Sequence, residues 1–304
     1  MAIVRKNDIL LETGTNTLGV LEFIIAGRRF GINVSKVVEI LMAVPITPMP
    51  NSNEYVRGVF KPRDMLMTLI DLPRYLNLPE SENPERDIYI ITSFNSASFA
   101  FHVHSVEVIH PISWNQIEKP DPAIYGGGDG LATGIARVDD KLITIIDFEK
   151  IIADISPSTS IQISDVERLG ARTPSEKPVM VVEDSMMLLK LIRESLTKAG
   201  YTSVITYSDG QAAWDALQKF KDSGKPVTDM ARIVITDIEM PKMDGHRLTK
   251  LIRDDPALKC LPVVIFSSLI NDEMKAKGVS VGATAQIAKP DAAELVRVID
   301  ENIL

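Results

Sequence analysis

Ile233-Val234-Ile235-Thr236-Asp237-Ile238-Glu239-Met240-Pro241-Lys242-Met243-Asp244-Gly245 decides how the second half of the chain is read. The run Ile233–Ile235 is short, β-branched and apolar throughout, the pattern of a parallel strand covered on both faces. Just past it stands a carboxylate, Asp237. Pro241 and Gly245 then mark a loop, and the helical pattern His246–Arg253 follows. Open α/β sheets bind their ligands beyond the C-terminal ends of strands. A single acid there is most often only solvated, so its companions decide.

Three other stretches end the same way. Val179-Met180-Val181-Val182 runs into the acid pair Glu183-Asp184 and then into a helical pattern, Met186–Ala199. Pro262-Val263-Val264-Ile265-Phe266 ends in Ser267-Ser268, and Ile287-Ala288 ends in Lys289-Pro290. In a parallel sheet such groups gather along one edge. Three acids, a hydroxyl and an ammonium there predict a hard-cation site beside a reactive carboxylate. Oxygen ligands suit Mg2+, and a carboxylate can act as nucleophile toward phosphorus. Lys289 and the cation would neutralise a transferring phosphoryl group.

Around these strands the texture alternates. Strands are expected at Val179–Val182, Val204–Tyr207, Ile233–Thr236, Val263–Phe266 and Ala285–Ala288. Helices are expected at Met186–Ala199, Gly210–Phe220, Gly245–Arg253, Asn271–Lys277 and Asp291–Ile303. Five β-then-α units predict a doubly wound parallel sheet with helices on both faces. With its acid pair, its Asp237 strand and Met-Pro-x-Met-Asp-Gly loop, its hydroxyl and its Lys-Pro, the stretch 178–304 resembles the receiver domain of two-component response regulators. The resemblance implies strand order 2-1-3-4-5 and Asp237 as phospho-acceptor. It implies Mg2+ held by Glu183, Asp184, Asp237 and the backbone carbonyl of Glu239. Ser267 would be the switch hydroxyl and Lys289 the lysine that senses phosphate. A cis Lys289–Pro290 bond goes with it, since X–Pro bonds lose little in the cis form. Gln286 departs from the family, which carries an aromatic switch residue at that position.

At 304 residues the chain has room for about two domains. Its net charge is −8 and no window is a basic block, which argues against nucleic acid as a partner, because phosphate contacts need clustered Lys and Arg. A single cysteine, Cys260, excludes an internal disulfide and fits a reducing compartment. The opening Met-Ala-Ile-Val-Arg-Lys-Asn-Asp lacks a signal-peptide core. No stretch approaches the roughly 20 apolar residues of a membrane span. The expected location is the cytoplasm, without membrane insertion.

Residues 1–16 are mixed, with a short helix expected near Asp8–Glu12. Residues 17–154 are β-rich. Phe99, Phe101 and Val103 alternate with Ser98, Ala100, His102 and His104, the period-2 pattern of a half-buried strand. Similar runs occur at Val20–Ile25, Arg29–Val34, Met65–Ile70, Ile88–Thr92 and Lys141–Ile146, and helices are expected at Val34–Leu41, behind Asn33 as cap, and at Phe148–Asp154. Many short strands with Gly and Pro turns suggest one barrel or two.

Within that half an ordered series stands out: Leu21-Glu22-Phe23, Phe30-Gly31-Ile32, Lys36-Val37-Val38-Glu39-Ile40 and Pro45-Ile46-Thr47-Pro48. Val56-Arg57-Gly58-Val59-Phe60, Pro62-Arg63 and Leu69-Ile70-Asp71-Leu72 continue it. This order resembles the CheW-like coupling domain of bacterial chemotaxis. The resemblance implies an all-β pair of small five-stranded barrels whose groove and loops bind the histidine kinase CheA and the cytoplasmic tips of methyl-accepting chemoreceptors. By position it places Val37, Glu39, Gly58 and Arg63 at those contacts. Lys61-Pro62-Arg63-Asp64 stands where the family has Asn-Leu-Arg-Gly, and His104 stands where an acid is common.

Residues 155–177 read as a linker, rich in Ser, Thr and Pro at both ends, around one short helix at Ser164–Leu169. His102 and His104 share a strand face, but no third ligand stands at metal-site spacing, so they read as half-exposed strand residues. Gly126–Gly130 lacks the Lys-Ser/Thr of a phosphate loop and reads as a flexible connection. The two halves together resemble CheV-type chemotaxis coupling proteins, a CheW-like adaptor fused to a receiver that is phosphorylated on Asp237, with binding rather than turnover as output. One alternative is a scaffold whose receiver only drains phosphate from CheA. A haloacid-dehalogenase-like phosphatase would need an Asp two residues past Asp237, where Glu239 stands. A DNA-binding regulator would need a basic effector, and neither half is basic.

Overall fold

The computed structural model of the chain describes residues 17–63, 65–94, 97–118, 130–157, 160–170, 172–270 and 272–303. The helix expected near Asp8–Glu12 and the glycine run 126–129 lie outside them. Contacts divide the chain into two units after Pro157.

The first unit carries strands β1 (Thr17–Ile25), β2 (Arg28–Asn33), β3 (Val37–Met42), β4 (Val56–Phe60), β5 (Met67–Asp71) and β6 (Ile88–Phe94). β7 (Ala97–Val103), β8 (Ser105–Ser113), β9 (Ile117–Glu118), β10 (Ala132–Val138) and β11 (Lys141–Ile146) follow, with helices α1 (Leu72–Tyr75) and α2 (Phe148–Ile155). They form two sheets, ordered β8-β1-β2-β11-β10-β9 and β3-β6-β7-β5-β4. The first sheet has six strands instead of the expected five, because the two-residue β9 pairs with β10.

Period-2 alternation lets one strand serve two cores. Along β1, Leu21, Phe23 and Ile25 enter a cluster with Ile70, Phe101 and Phe148, whereas Leu18 and Val20 pack with Ile112 and Ile143. Phe101 and Phe148 meet edge-on with ring centroids 4.5 Å apart, a geometry aromatic pairs prefer. Burying side chains of this size contributes roughly 1.5–3 kcal/mol each.

Two local expectations are corrected here. The helix expected over Val34–Leu41 is a single 3-10 turn, Val34–Lys36, where the Asn33 carboxamide accepts the Ser35 N–H at 2.9 Å. The β-branched Val37, Val38 and Ile40 then run on as β3 against β6. β7, expected to be half exposed, lies between β6 and β5, and Ala100 and His102 are as buried as Phe101 and Val103.

The second unit runs α3 (Ile163–Glu167), β12 (Val179–Val182), α4 (Met186–Lys198), β13 (Val204–Tyr207), α5 (Gly210–Asp222), β14 (Ile233–Thr236), α6 (Gly245–Asp254), β15 (Val263–Ser267), α7 (Asp272–Ser280), β16 (Ala285–Ala288) and α8 (Ala292–Asn302). Its strands are all parallel, in the order β13-β12-β14-β15-β16. β12, β14 and β15 are buried at every position, as a sheet covered on both faces requires. Leu189, Ile192 and Leu196 of α4 and Leu295 and Ile299 of α8 fill one side. Leu217 of α5 with Leu248 and Ile252 of α6 fill the other. The stretch expected to be a linker contributes Ile161 and Val166 to the α4–α8 side.

Candidate functional site

The ladder of the parallel sheet builds the site. The Asp237 N–H donates to the Val182 carbonyl at 2.9 Å, which sets Asp237 level with Glu183 at the ends of neighbouring strands. The Lys289 N–H donates to the Ser267 carbonyl at 3.1 Å, doing the same for the other pair. Glu183, Asp237, Ser267 and Lys289 are all buried, and Asp184 is half-buried. Ligand oxygens of Glu183, Asp184 and Asp237 lie within 4.8 Å of one another. The Lys289 ammonium donates to Glu183 Oε2 at 2.8 Å and lies 3.4 Å from Asp237 Oδ2. The Lys289–Pro290 peptide is cis.

Electrostatically this is an acid-rich crevice holding one cation. Burial pushes the Glu183 carboxyl up; Lys289 opposes the shift, while Asp237 and Asp184 add to it. Asp237 Oδ1 is buried with no hydrogen-bond partner. A bare carboxylate oxygen beside two further acids is what a divalent cation would satisfy, and the all-oxygen donor set suits a hard ion. The residues present therefore fit Mg2+. Glu239 begins the following loop, half-buried. The Ser267 hydroxyl accepts the Leu269 N–H at 3.3 Å.

The chain holds Asp237 from behind. The Thr236 hydroxyl donates to the Asp237 carbonyl at 2.9 Å, and a Cβ at Gly245 would collide with that same carbonyl oxygen. Only glycine permits this approach. Gly245 was legible as loop punctuation, whereas Thr236 gave no signal beyond its place in the strand. Gln286 is half-buried on β16; its amide donates to the Lys275 carbonyl of α7 at 2.9 Å and covers Gly278.

In the first unit the four anticipated contact residues play unlike parts. Val37 is 6 % exposed and belongs to the core. Glu39 and Arg63 form an ion pair at 2.7 Å, with Arg63 exposed. Gly58 sits at φ +147 beside a bulge in the β4–β5 ladder, and a Cβ there would collide with the Thr47 carbonyl. A buried network was missed altogether. His102 Nε2 lies 2.6 Å from Asp87 Oδ2, and His102 Nδ1 lies 3.8 Å from Asp71 Oδ1. Arg57 donates to Asp71 at 2.7 Å. Burial alone would raise the Asp71 carboxyl, but the neighbouring His102 ring and the hydrogen bonds from Arg57 and the Arg74 backbone pull it down to about 2. These four residues are spread along the chain, so no spacing reveals them.

Comparison with known proteins follows the division into units. Residues 19–156 match the CheW-like domain family, and residues 179–300 match the response regulator receiver domain family. The chemotaxis protein CheV3 of Helicobacter pylori is 30 % identical, over 99 % of this chain and 100 % of its own length. The chain belongs to the CheV family of chemotaxis proteins. CheV2 of the same organism is 26 % identical over 91 % of this chain and 90 % of its own. Among solved structures, the scaffolding protein TtCheW of Thermoanaerobacter tengcongensis matches 43 % of this chain and 90 % of its own, at 26 % identity and a TM-score of 0.41. In this CheV-family chain the acid crevice thus falls in the receiver domain, and the Glu39–Arg63 pair in the CheW-like domain. Among the described residues no helix is long and apolar enough to cross a membrane.

Proposed function

We propose that this CheV-family chain couples chemoreceptors to the histidine kinase CheA through its CheW-like domain, and that phosphorylation of Asp237 regulates the coupling. The carrying observation is the buried Asp237 carboxylate, with one oxygen unpartnered and Lys289 and two further acids around it. In the transfer, the phosphorus–nitrogen bond of a CheA phosphohistidine breaks as an Asp237 oxygen bonds to phosphorus. The imidazole keeps the electron pair and takes a proton from solvent. Lys289 is placed to follow the new negative charge, and the Ser267 hydroxyl to donate to a phosphoryl oxygen. Glu183, Asp184, Asp237 and the Glu239 carbonyl would hold Mg2+, which when bound offsets charge on the transferring group. The output is a change in binding between two packings of the receiver, not turnover. Val37 and Gly58 support the coupling surface, and Glu39 and Arg63 lie on it.

Mg2+-dependent transfer from phosphorylated CheA, read by intact mass on the wild type and Asp237→Ala, tests this. A phosphate adduct on the wild type alone is expected. No adduct, with CheA binding intact, would leave a coupling scaffold with a silent receiver.

A further inference from the structure

The stretch comprising residues 160–170 and 172–177 falls between the two family matches, yet it is folded onto the second unit. Ile161 and Val166 are 4 % and 2 % exposed, in one cluster with Ile192 and Leu196 of α4 and Leu295 and Ile299 of α8. α3 packs against both helices. Arg172 adds a clamp: its Nε donates to the Ala199 carbonyl at 2.9 Å, just past α4, and its guanidinium pairs with Asp300 of α8. Ser175 then runs parallel to Tyr201, its N–H donating to the Gly200 carbonyl at 2.8 Å. These residues form a strap across the α4–α8 pair.

The same two helices start at the acid crevice. Ser185 caps α4, and its N–H donates to Glu183 Oε1 at 3.2 Å. Asp291 caps α8, two residues after Lys289. The Glu183–Lys289 ion pair therefore joins the helices at their starts, and the strap joins them further along. At a rise of about 1.5 Å per residue α4 is a rod of roughly 20 Å, stiff enough to carry a shift from one end to the other.

We propose that the strap is the intramolecular reader of the site. A phosphoryl group on Asp237 draws Lys289 off Glu183, relaxes the joint at the helix starts and loosens the seats of Val166 and Arg172. The strap continues along the chain towards Pro157, so the loosening is delivered to the connection with the first unit. This rests on the reading of Asp237 as acceptor.

Hydrogen exchange on the full chain tests it, with and without Mg2+ and beryllofluoride, a tetrahedral complex that mimics a phosphoryl group on a carboxylate. Amides of residues 237–245 are expected to gain protection as the site loads, while those of 160–170 exchange about threefold faster. Asp237→Ala should abolish both changes. Val166→Ala should load normally but show fast strap exchange beforehand and no further response; a response of undiminished size in that variant overturns the proposal. Unchanged or slower strap exchange in a wild type whose site is protected also overturns it and leaves the acceptor reading standing. Absence of protection at the site overturns both.

Discussion

Lys289 donates to Glu183 at 2.8 Å and stands farther, at 3.4 Å, from Asp237. One buried cation thus serves two buried acids, and it sits closer to the one that is not the proposed acceptor. An ion taken out of water is costly unless matched. The crevice is therefore short of positive charge, which a bound divalent cation would supply.

Replacing Lys289 with Gln strands both carboxylates. Removing one member of a buried pair costs about 3–5 kcal/mol, and urea denaturation of the full chain should show that loss in the transition of the second unit. Asp237→Asn leaves Glu183 and Lys289 matched and should change stability by less than about 1 kcal/mol. Equal losses in the two variants would contradict the account.

Gly58→Ala and Arg63→Ala should separate fold from contact. The first forces a Cβ against the Thr47 carbonyl at φ +147, a strain of about 1–3 kcal/mol before any clash is relieved. The second breaks an exposed ion pair with Glu39, worth about 0–1 kcal/mol. Thermal melts should report a clear loss for the glycine variant and almost none for the arginine variant. The proposed binding to CheA and receptors, assayed in the arginine variant, then reads the surface alone.

His246 is buried on α6, where burial, helped by Lys277, holds its ring down at about 4. The unfolded chain takes up that proton near the ordinary value of about 6.5. Stability is therefore complete above pH 6.5 and falls as pH drops from 6.5 towards 4, by on the order of 3 kcal/mol. Denaturation midpoints across this window should fall less steeply for His246→Gln. A parallel decline in both proteins would assign the acid sensitivity elsewhere.

Gly278 and Gln286 should behave as a coupled pair. A Cβ at 278 would push on the Gln286 amide and loosen its bond to the Lys275 carbonyl, costing about 1 kcal/mol. With Gln286→Ala already in place, Gly278→Ala should cost measurably less, a non-additivity that a double-mutant cycle reads directly.

The receiver was legible because its signals are local. Four of the five short strands, β12, β14, β15 and β16, end next to the group they deliver, so Glu183, Asp184, Asp237, Ser267 and Lys289 stood out by position, and the resemblance supplied the role expected of each. The segment Val34–Leu41 misled because Asn33 caps a turn as readily as a helix, and the outcome turned on pairing with β6, a partner some fifty residues away. His102 was misread for a similar reason. Period 2 reports two faces, but only residues from elsewhere in the chain cover both, Phe23 and Phe148 on the Phe101 side and Phe60, Leu69 and Tyr89 on the Ala100 side. The strap escaped because a Ser- and Pro-rich composition hides two apolar anchors, Ile161 and Val166, whose partners lie in α4 and α8.

In the first sheet β1 lies between β8 and β2, and β2 pairs in turn with β11, which ends at Ile146. During synthesis that sheet cannot close until nearly all of the first unit has emerged, and its early hairpin must wait with an open edge. The receiver's strands find partners nearer in sequence, but every pairing is parallel and needs a crossover, so its sheet is no quicker to assemble. That waiting edge is the part of the first unit with most to gain from a chaperone.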